Sequence, residues 1–110
     1  MNNDLLLQEL KSKLKTIITK SYKDIQPELE KDLNVFLETS REKLERWIFL
    51  FSTGDITEEE LEWLLKSQLD LVTLQALQTT GISKIKLNAL KNNILKTLFK
   101  IILELIIPVV

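Results

Sequence analysis

A helix stop followed at once by a helix start is the feature that most constrains the fold of this chain. Thr57 and Glu60 have the spacing of a capping box, in which each side chain accepts from the backbone N–H of the other residue. Ile56 and Leu61 stand at the two positions of a hydrophobic staple. Gly54 follows the preceding helical pattern, where a left-handed residue commonly ends a helix. The sequence therefore predicts a helical hairpin that turns at this point.

The composition argues against a fold that needs many turns. The 110 residues include only two glycines and two prolines, and 45% of the residues are hydrophobic. Sheet-rich domains join short strands by turns that use Gly and Pro, so a few long helices are the expected alternative. A chain of this length can bury one core. We therefore expect a single all-α domain over residues 1–110.

Apolar residues recur at spacings of three and four, which is the pattern of amphipathic helices. The segments with this pattern are residues 4–25, 27–51, 58–79 and 83–107. Ser83 stands where it can cap the fourth of them. Helices of similar length with short connections are typical of an antiparallel bundle, and we predict such a bundle of three to four long helices.

Pro27 leaves one alternative open for the first half of the chain. A proline lacks the backbone donor and disfavours helical backbone at the preceding residue, here Gln26. It also suits the first turn of a new helix, where Glu28 and Glu30 would face the positive end of the helix dipole. The first two helices are therefore either separate members of a bundle or one long rod kinked at Pro27. Such a rod would need another chain to cover its apolar face.

The residue types present restrict the chemistry of the chain. It contains no Cys and no His, which removes thiol chemistry, the commonest general base and the commonest transition-metal ligand. The acids at residues 58–60 are explained as first-turn partners of a helix dipole. We therefore expect no enzymatic activity, no catalytic or metal-binding residue, no cofactor and no small-molecule substrate.

Charge is unevenly distributed along the chain, although the net charge is −1. Residues 54–79 carry six acids against Lys66 alone, whereas residues 80–110 carry five lysines against Glu104 alone. This contrast predicts that the acidic third helix and the basic fourth helix pack side by side. The lysines are also candidate contacts for an anionic surface, and they are Lys84, Lys86, Lys91, Lys96 and Lys100.

Two segments carry more apolar surface than one helix face needs. Residues 47–51 are apolar on every side of their helix, because five residues exceed one turn. Residues 94–110 keep only a narrow polar stripe. Surfaces of this kind pack in a core, contact another subunit or a partner, or lie at a membrane interface. The candidate interaction residues are Trp47, Ile48, Phe49, Leu50, Phe51, Trp63, Phe99, Ile102, Leu103 and Ile106.

These features predict a non-enzymatic scaffold or assembly subunit that forms a homo-oligomer or docks on a protein partner through apolar helix faces. The alternative is a peripheral membrane or membrane-permeabilising protein that uses the basic amphipathic helix at residues 82–110. A nucleic-acid-associated protein is a third hypothesis, which two arginines and the single nearby aromatic residue Phe99 do not favour. The N-terminal residues lack the pattern of a signal peptide, so we expect a cytoplasmic location, peripheral to a membrane under the second hypothesis.

Overall fold

The computed structural model describes residues 3–106 and, within them, the side chains from residue 7 onward except at residue 19. All regular structure in this range is helical. The α-helices are α1 (Asn3–Thr19), α2 (Gln26–Thr39), α3 (Arg41–Ser52), α4 (Glu58–Leu71), α5 (Gln75–Thr79) and α6 (Lys84–Ile106), and a 3-10 turn spans Lys23–Ile25. The all-α class is therefore confirmed, whereas there are more helices than the three to four predicted.

The helices pack as four antiparallel rods. The first rod, α1, packs against α2 and α6, while α4 packs against α3 and α6. Because backbone hydrogen bonds continue across the one residue between α2 and α3, the two helices form one rod. The described part of the chain measures 42 × 23 × 22 Å. One end, the hairpin end, carries the turn at residues 53–57, and the other, the loop end, carries the turns at residues 20–25 and 80–83.

Helix α6 supplies a large share of the hydrophobic core. Its buried residues are Leu90, Ile94, Leu95, Leu98, Ile101 and Ile102. The polar stripe predicted for this segment faces solvent, since Lys96, Lys100 and Glu104 are exposed. The apolar segment from residue 94 to residue 106 therefore packs mainly inside its own bundle, and residues 107–110 lie outside the described range.

The first reversal of the chain occurs earlier than the sequence predicts. Helix α1 ends at Thr19, and Gln26 is helical with φ −56° and ψ −46°, although Pro27 follows it. The prediction that Pro27 forces Gln26 out of the helical region is therefore wrong. The backbone turns instead at Tyr22, whose ring packs against the core and whose hydroxyl accepts from Asn93 Nδ2 at 2.7 Å. The first two helices are thus separate rods of the bundle.

The second predicted helix divides at Ser40, which is fully buried. The backbone hydrogen bonds continue across the junction, because Ser40 donates to Phe36 O at 2.9 Å and Leu44 donates to Ser40 O at 2.8 Å. Gln68 Nε2 of α4 donates to Ser40 Oγ at 3.0 Å, and Lys43 Nζ donates to Gln68 Oε1 at 3.3 Å. A buried amide needs partners, so this network fixes α4 against the junction.

The third predicted helix divides at residues 72–74, where Val72 is extended with ψ 123°. In one continuous helix Leu74 and Leu77 would point roughly 140–160° away from the apolar stripe of α4. The break lets both leucines turn inward, and both are buried in the core. Periodicity alone did not predict them as core residues. The gain in buried apolar surface therefore explains why the helix ends at Leu71.

The start of α5 is capped by a residue from another helix. Its own N-cap residue, Leu74, makes no side-chain hydrogen bond. Instead Asp32 of α2, only 3% exposed, accepts from Ala76 N–H at 3.0 Å and from Leu77 N–H at 2.7 Å. These are the first-turn donors that have no partner within the helix, and a carboxylate also favours the positive end of the dipole. Asp32 thus holds α5 on α2.

The hairpin predicted from the sequence is confirmed in its capping box and in its left-handed glycine. Glu60 N–H donates to Thr57 Oγ1 at 3.1 Å, and Thr57 N–H donates to Glu60 Oε1 at 3.0 Å. Gly54 has φ 83°, a left-handed conformation that favours glycine. Asp55 N–H donates to Leu50 O at 2.8 Å, which satisfies a carbonyl at the end of α3.

Candidate interaction surfaces

The apolar segment at residues 47–51 lies mostly inside the bundle. Ile48 is buried in the core, and Trp47, Leu50 and Phe51 are half-buried. Only Phe49 is largely exposed, at 61%. The prediction that Ile48 belongs to an interaction surface therefore needs correction, because the neighbouring helices of this chain cover it.

The candidate residues of α6 are also turned mainly inward. Ile102 is fully buried, so it belongs to the core rather than to a surface. Phe99, Leu103 and Ile106 are half-buried, and Phe99 and Ile106 pack against the core cluster. The broad apolar face predicted at the end of the chain is thus largely covered by the helices that pack on α6.

Trp63 is the most exposed of the candidate apolar residues, at 67%. It is two positions from both Leu61 and Leu65, which are buried, so it lies roughly half a turn away from the core face of α4. A large aromatic side chain on an outward helix face contributes little to the core. Aromatic residues of this kind are enriched at protein interfaces.

The surroundings of Trp63 are acidic. A shallow groove of about 430 Å³ beside the indole is lined by Glu59, Glu60, Trp63 and Leu64. Glu58 and Glu62, in the same two turns, are exposed as well. We call this region the acidic Trp63 surface; it consists of Glu58, Glu59, Glu60, Glu62 and Trp63. An apolar anchor within an acidic rim suits a partner that is apolar at its centre and basic around it.

The loop end of the molecule carries a larger groove, of about 660 Å³. Its walls come from the two turns that meet there and include the half-buried side chains of Tyr22, Ile25 and Ile82. Lys86 lies at its edge, on the first turn of α6, which starts as predicted with Ser83 Oγ accepting from Lys86 N–H at 3.2 Å. We call this the loop-end groove. Sequence reasoning missed it because its walls come from turns far apart in the chain.

Among the residues whose side chains the structure describes, the five candidate lysines of α6 have no ionic partner. Lys91 is half-buried and the other four are exposed. Helices α4 and α6 do pack side by side, as the charge contrast predicts. Yet among the described residues no carboxylate lies within 4.0 Å of any of these lysines. Packing of the two helices therefore depends on apolar contacts.

The apolar side of α6 bears on the membrane hypothesis. The apolar face of α6 that a lipid-bound helix would insert is occupied by the bundle, with Leu90, Ile94 and Ile101 fully buried. None of the helices between residues 3 and 106 has the length and apolarity needed to cross a membrane. Within that range, no three acidic side chains are grouped to hold a metal ion.

Comparison with known proteins adds no relative. No family model, curated protein or solved structure matches the chain. The function is therefore argued from the surfaces described above.

Proposed function

We propose that this chain is a non-enzymatic assembly module that docks on a protein through the acidic Trp63 surface. The observation that carries the proposal is the 67% exposure of Trp63 on the outward face of α4. Burying a large apolar side chain at an interface contributes about 1.5–3 kcal/mol, and interface hot spots are enriched in tryptophan. The exposed indole is therefore a source of binding free energy that folding does not use.

The composition of α4 supports this reading of Trp63. The helix already places Leu61, Leu65 and Leu69 in the core, so stability requires no further large apolar residue on its outer side. The glutamates around Trp63 add charge, which steers a partner of opposite charge and disfavours like-charged ones. A single apolar anchor with a charged rim is the usual arrangement of a specific, reversible interface.

The broad apolar faces predicted from the sequence give less support to obligate oligomerisation. Most of their side chains are covered within one chain, which leaves Trp63 and Phe49 as the large aromatic residues that are mainly exposed. The membrane hypothesis also has less support, because the apolar side of α6 is buried. Docking at α4 is therefore the function that the exposed side chains favour.

Site-specific photo-crosslinking in cells that express the chain tests the proposal. A photoreactive amino acid at position 66, one turn beyond Trp63 on α4, should yield a specific adduct, and the same group at exposed position 92 on α6 should not. Trp63→Ser should abolish the adduct without lowering the melting temperature. Leu71→Ser is the matched control, since Leu71 is 74% exposed on the same helix, and it should leave the adduct unchanged. An adduct that persists in Trp63→Ser, or none at position 66, would contradict the proposal.

A further inference from the structure

We infer that the acidic Trp63 surface binds the loop-end groove of a second copy of this chain, so that copies associate end to end. This inference rests on the proposed docking role of Trp63 and names its partner. It requires a cavity that accepts an indole, a rim of opposite charge, and a position that one molecule cannot reach by itself.

The loop-end groove meets the first requirement. Its volume of about 660 Å³ falls in the range of clefts that hold an organic group. Tyr22, Ile25 and Ile82 present apolar walls that already pack against the core, so the groove is preformed. An aromatic ring can pack against Tyr22 in an offset or edge-to-face arrangement, and Ala89 leaves room on the side of α6.

The chain segments around the groove carry positive charge, opposite to that of the acidic Trp63 surface. One lysine, Lys86, and one acid, Asp24, line the groove itself, and the two segments that form it carry three further exposed lysines. The four lysines are Lys20, Lys23, Lys84 and Lys86. No carboxylate lies within 4.0 Å of any of them among the residues from 7 to 106 whose side chains the structure describes. Their charges are therefore available to the glutamates of another molecule.

An exposed isoleucine extends the apolar part of this region. Ile85 is 83% exposed and stands between Lys84 and Lys86 on the first turn of α6. The loop end thus has apolar groups within a basic rim, and the hairpin end has an apolar group within an acidic rim. The two surfaces complement each other in both charge and polarity.

The position of the two surfaces determines the type of assembly. They lie at opposite ends of a molecule that is 42 Å long, so they cannot meet within one chain. A contact between two different patches is heterologous and, unless it closes into a ring, it continues from copy to copy. The net charge of −1 produces little overall repulsion between copies.

Sedimentation velocity and light scattering of the full chain test the inference. The mass of the unmodified protein should rise with concentration and fall with added salt, because the rim charges are screened. Trp63→Ser should weaken association by about tenfold or more, as loss of a hot spot does. Lys86→Glu should weaken association to a similar extent, because it alters the loop-end groove. This variant should keep the fold, because an acid suits the first turn of a helix. Lys100→Glu and Leu71→Ser are the matched controls and should associate like the unmodified protein.

A mixture of the two defective variants gives the decisive measurement. Trp63→Ser keeps an intact groove and Lys86→Glu keeps an intact Trp63, so one productive interface remains between them. The mixture should form a species of two chains that does not grow further. A mass of one chain for the unmodified protein at every concentration, or no two-chain species in the mixture, would overturn the inference. Crosslinking at position 66 to a different protein would then still support the proposed docking function. If neither self-association nor an adduct at position 66 were found, the docking function and its inferred partner would both be refuted.

Discussion

Replacing Asp32 with alanine should destabilise the fold more than any other single change to a charged side chain described above. The carboxylate is 3% exposed and accepts two backbone hydrogen bonds, at 3.0 Å from Ala76 and at 2.7 Å from Leu77. Its removal leaves two first-turn donors of α5 without acceptors, and the Leu77 amide is buried. The N-cap residue of α5, Leu74, makes no side-chain hydrogen bond that could replace the lost acceptors.

The size of the effect follows from these two hydrogen bonds. A hydrogen bond to a charged group contributes about 1.5–3 kcal/mol, and loss of a helix cap costs about 0.5–2 kcal/mol. The two bonds share one carboxylate and are not additive, so we expect Asp32→Ala to lower the free energy of unfolding by about 3 kcal/mol. Domains of this size are stable by about 5–15 kcal/mol, so the loss is a large fraction. Asp32→Asn keeps one acceptor oxygen and should cost about 1–2 kcal/mol.

Urea denaturation followed by circular dichroism measures this difference, and hydrogen exchange locates it. The amides of residues 76 and 77 should exchange faster in Asp32→Ala, while those in the middle of α6 should change only with global stability. Asp70→Ala is the matched control, because Asp70 is an exposed acid whose removal should cost at most about 0.5 kcal/mol. Equal unfolding free energies for Asp32→Ala and Asp70→Ala would refute the capping role.

Three further predictions concern the turns and the helix junction. Thr57→Ala should cost about 1 kcal/mol through loss of the capping box, and Thr73→Ala, at an exposed threonine, is its control in the same urea titration. Ser40→Ala should cost about 1–2 kcal/mol because Gln68 Nε2 loses its buried acceptor, and Ser40→Ala with Gln68→Leu should cost less than the sum of the single changes. Amides at residues 20–23 should exchange faster than those at residues 61–69, and equal protection of both segments would contradict a break between α1 and α2.

The parts of the fold that follow from local sequence were predicted, and the parts that depend on distant contacts were not. The end of α3 near Gly54 and the start of α4 at Thr57 depend only on residues within a few positions of one another. The local sequence pattern was therefore sufficient to predict both. The break at residues 72–74 was missed, because a helical period assumes that the helix continues. No local pattern marks Asp32 as a cap, since the amides that it caps are 44 and 45 positions further along the chain.

The candidate surfaces likewise include residues that the sequence predicts and residues that it does not. The sequence predicts Trp63 as a candidate interaction residue, and its exposure follows from its position half a turn from Leu61 and Leu65. The sequence predicts Ile48 and Ile102 as surface residues, although both are buried. A segment that is apolar on every side does not show how many other helices pack around it. The loop-end groove forms only when residues near 22 and near 82 meet, so no local pattern marks it.

The separation in sequence between Asp32 and α5 also indicates the order in which the helices form during folding. A helix of five residues is too short to be stable alone, and its acceptors exist only after α2 has taken its place. We therefore expect α5 to form after α2 and α4 have packed, with its native contacts absent from the transition state. Asp32→Ala would then raise the unfolding rate and leave the refolding rate nearly unchanged. On this account α5 forms late in folding, and its contact with Asp32 determines the lifetime of the native state rather than the rate at which that state forms.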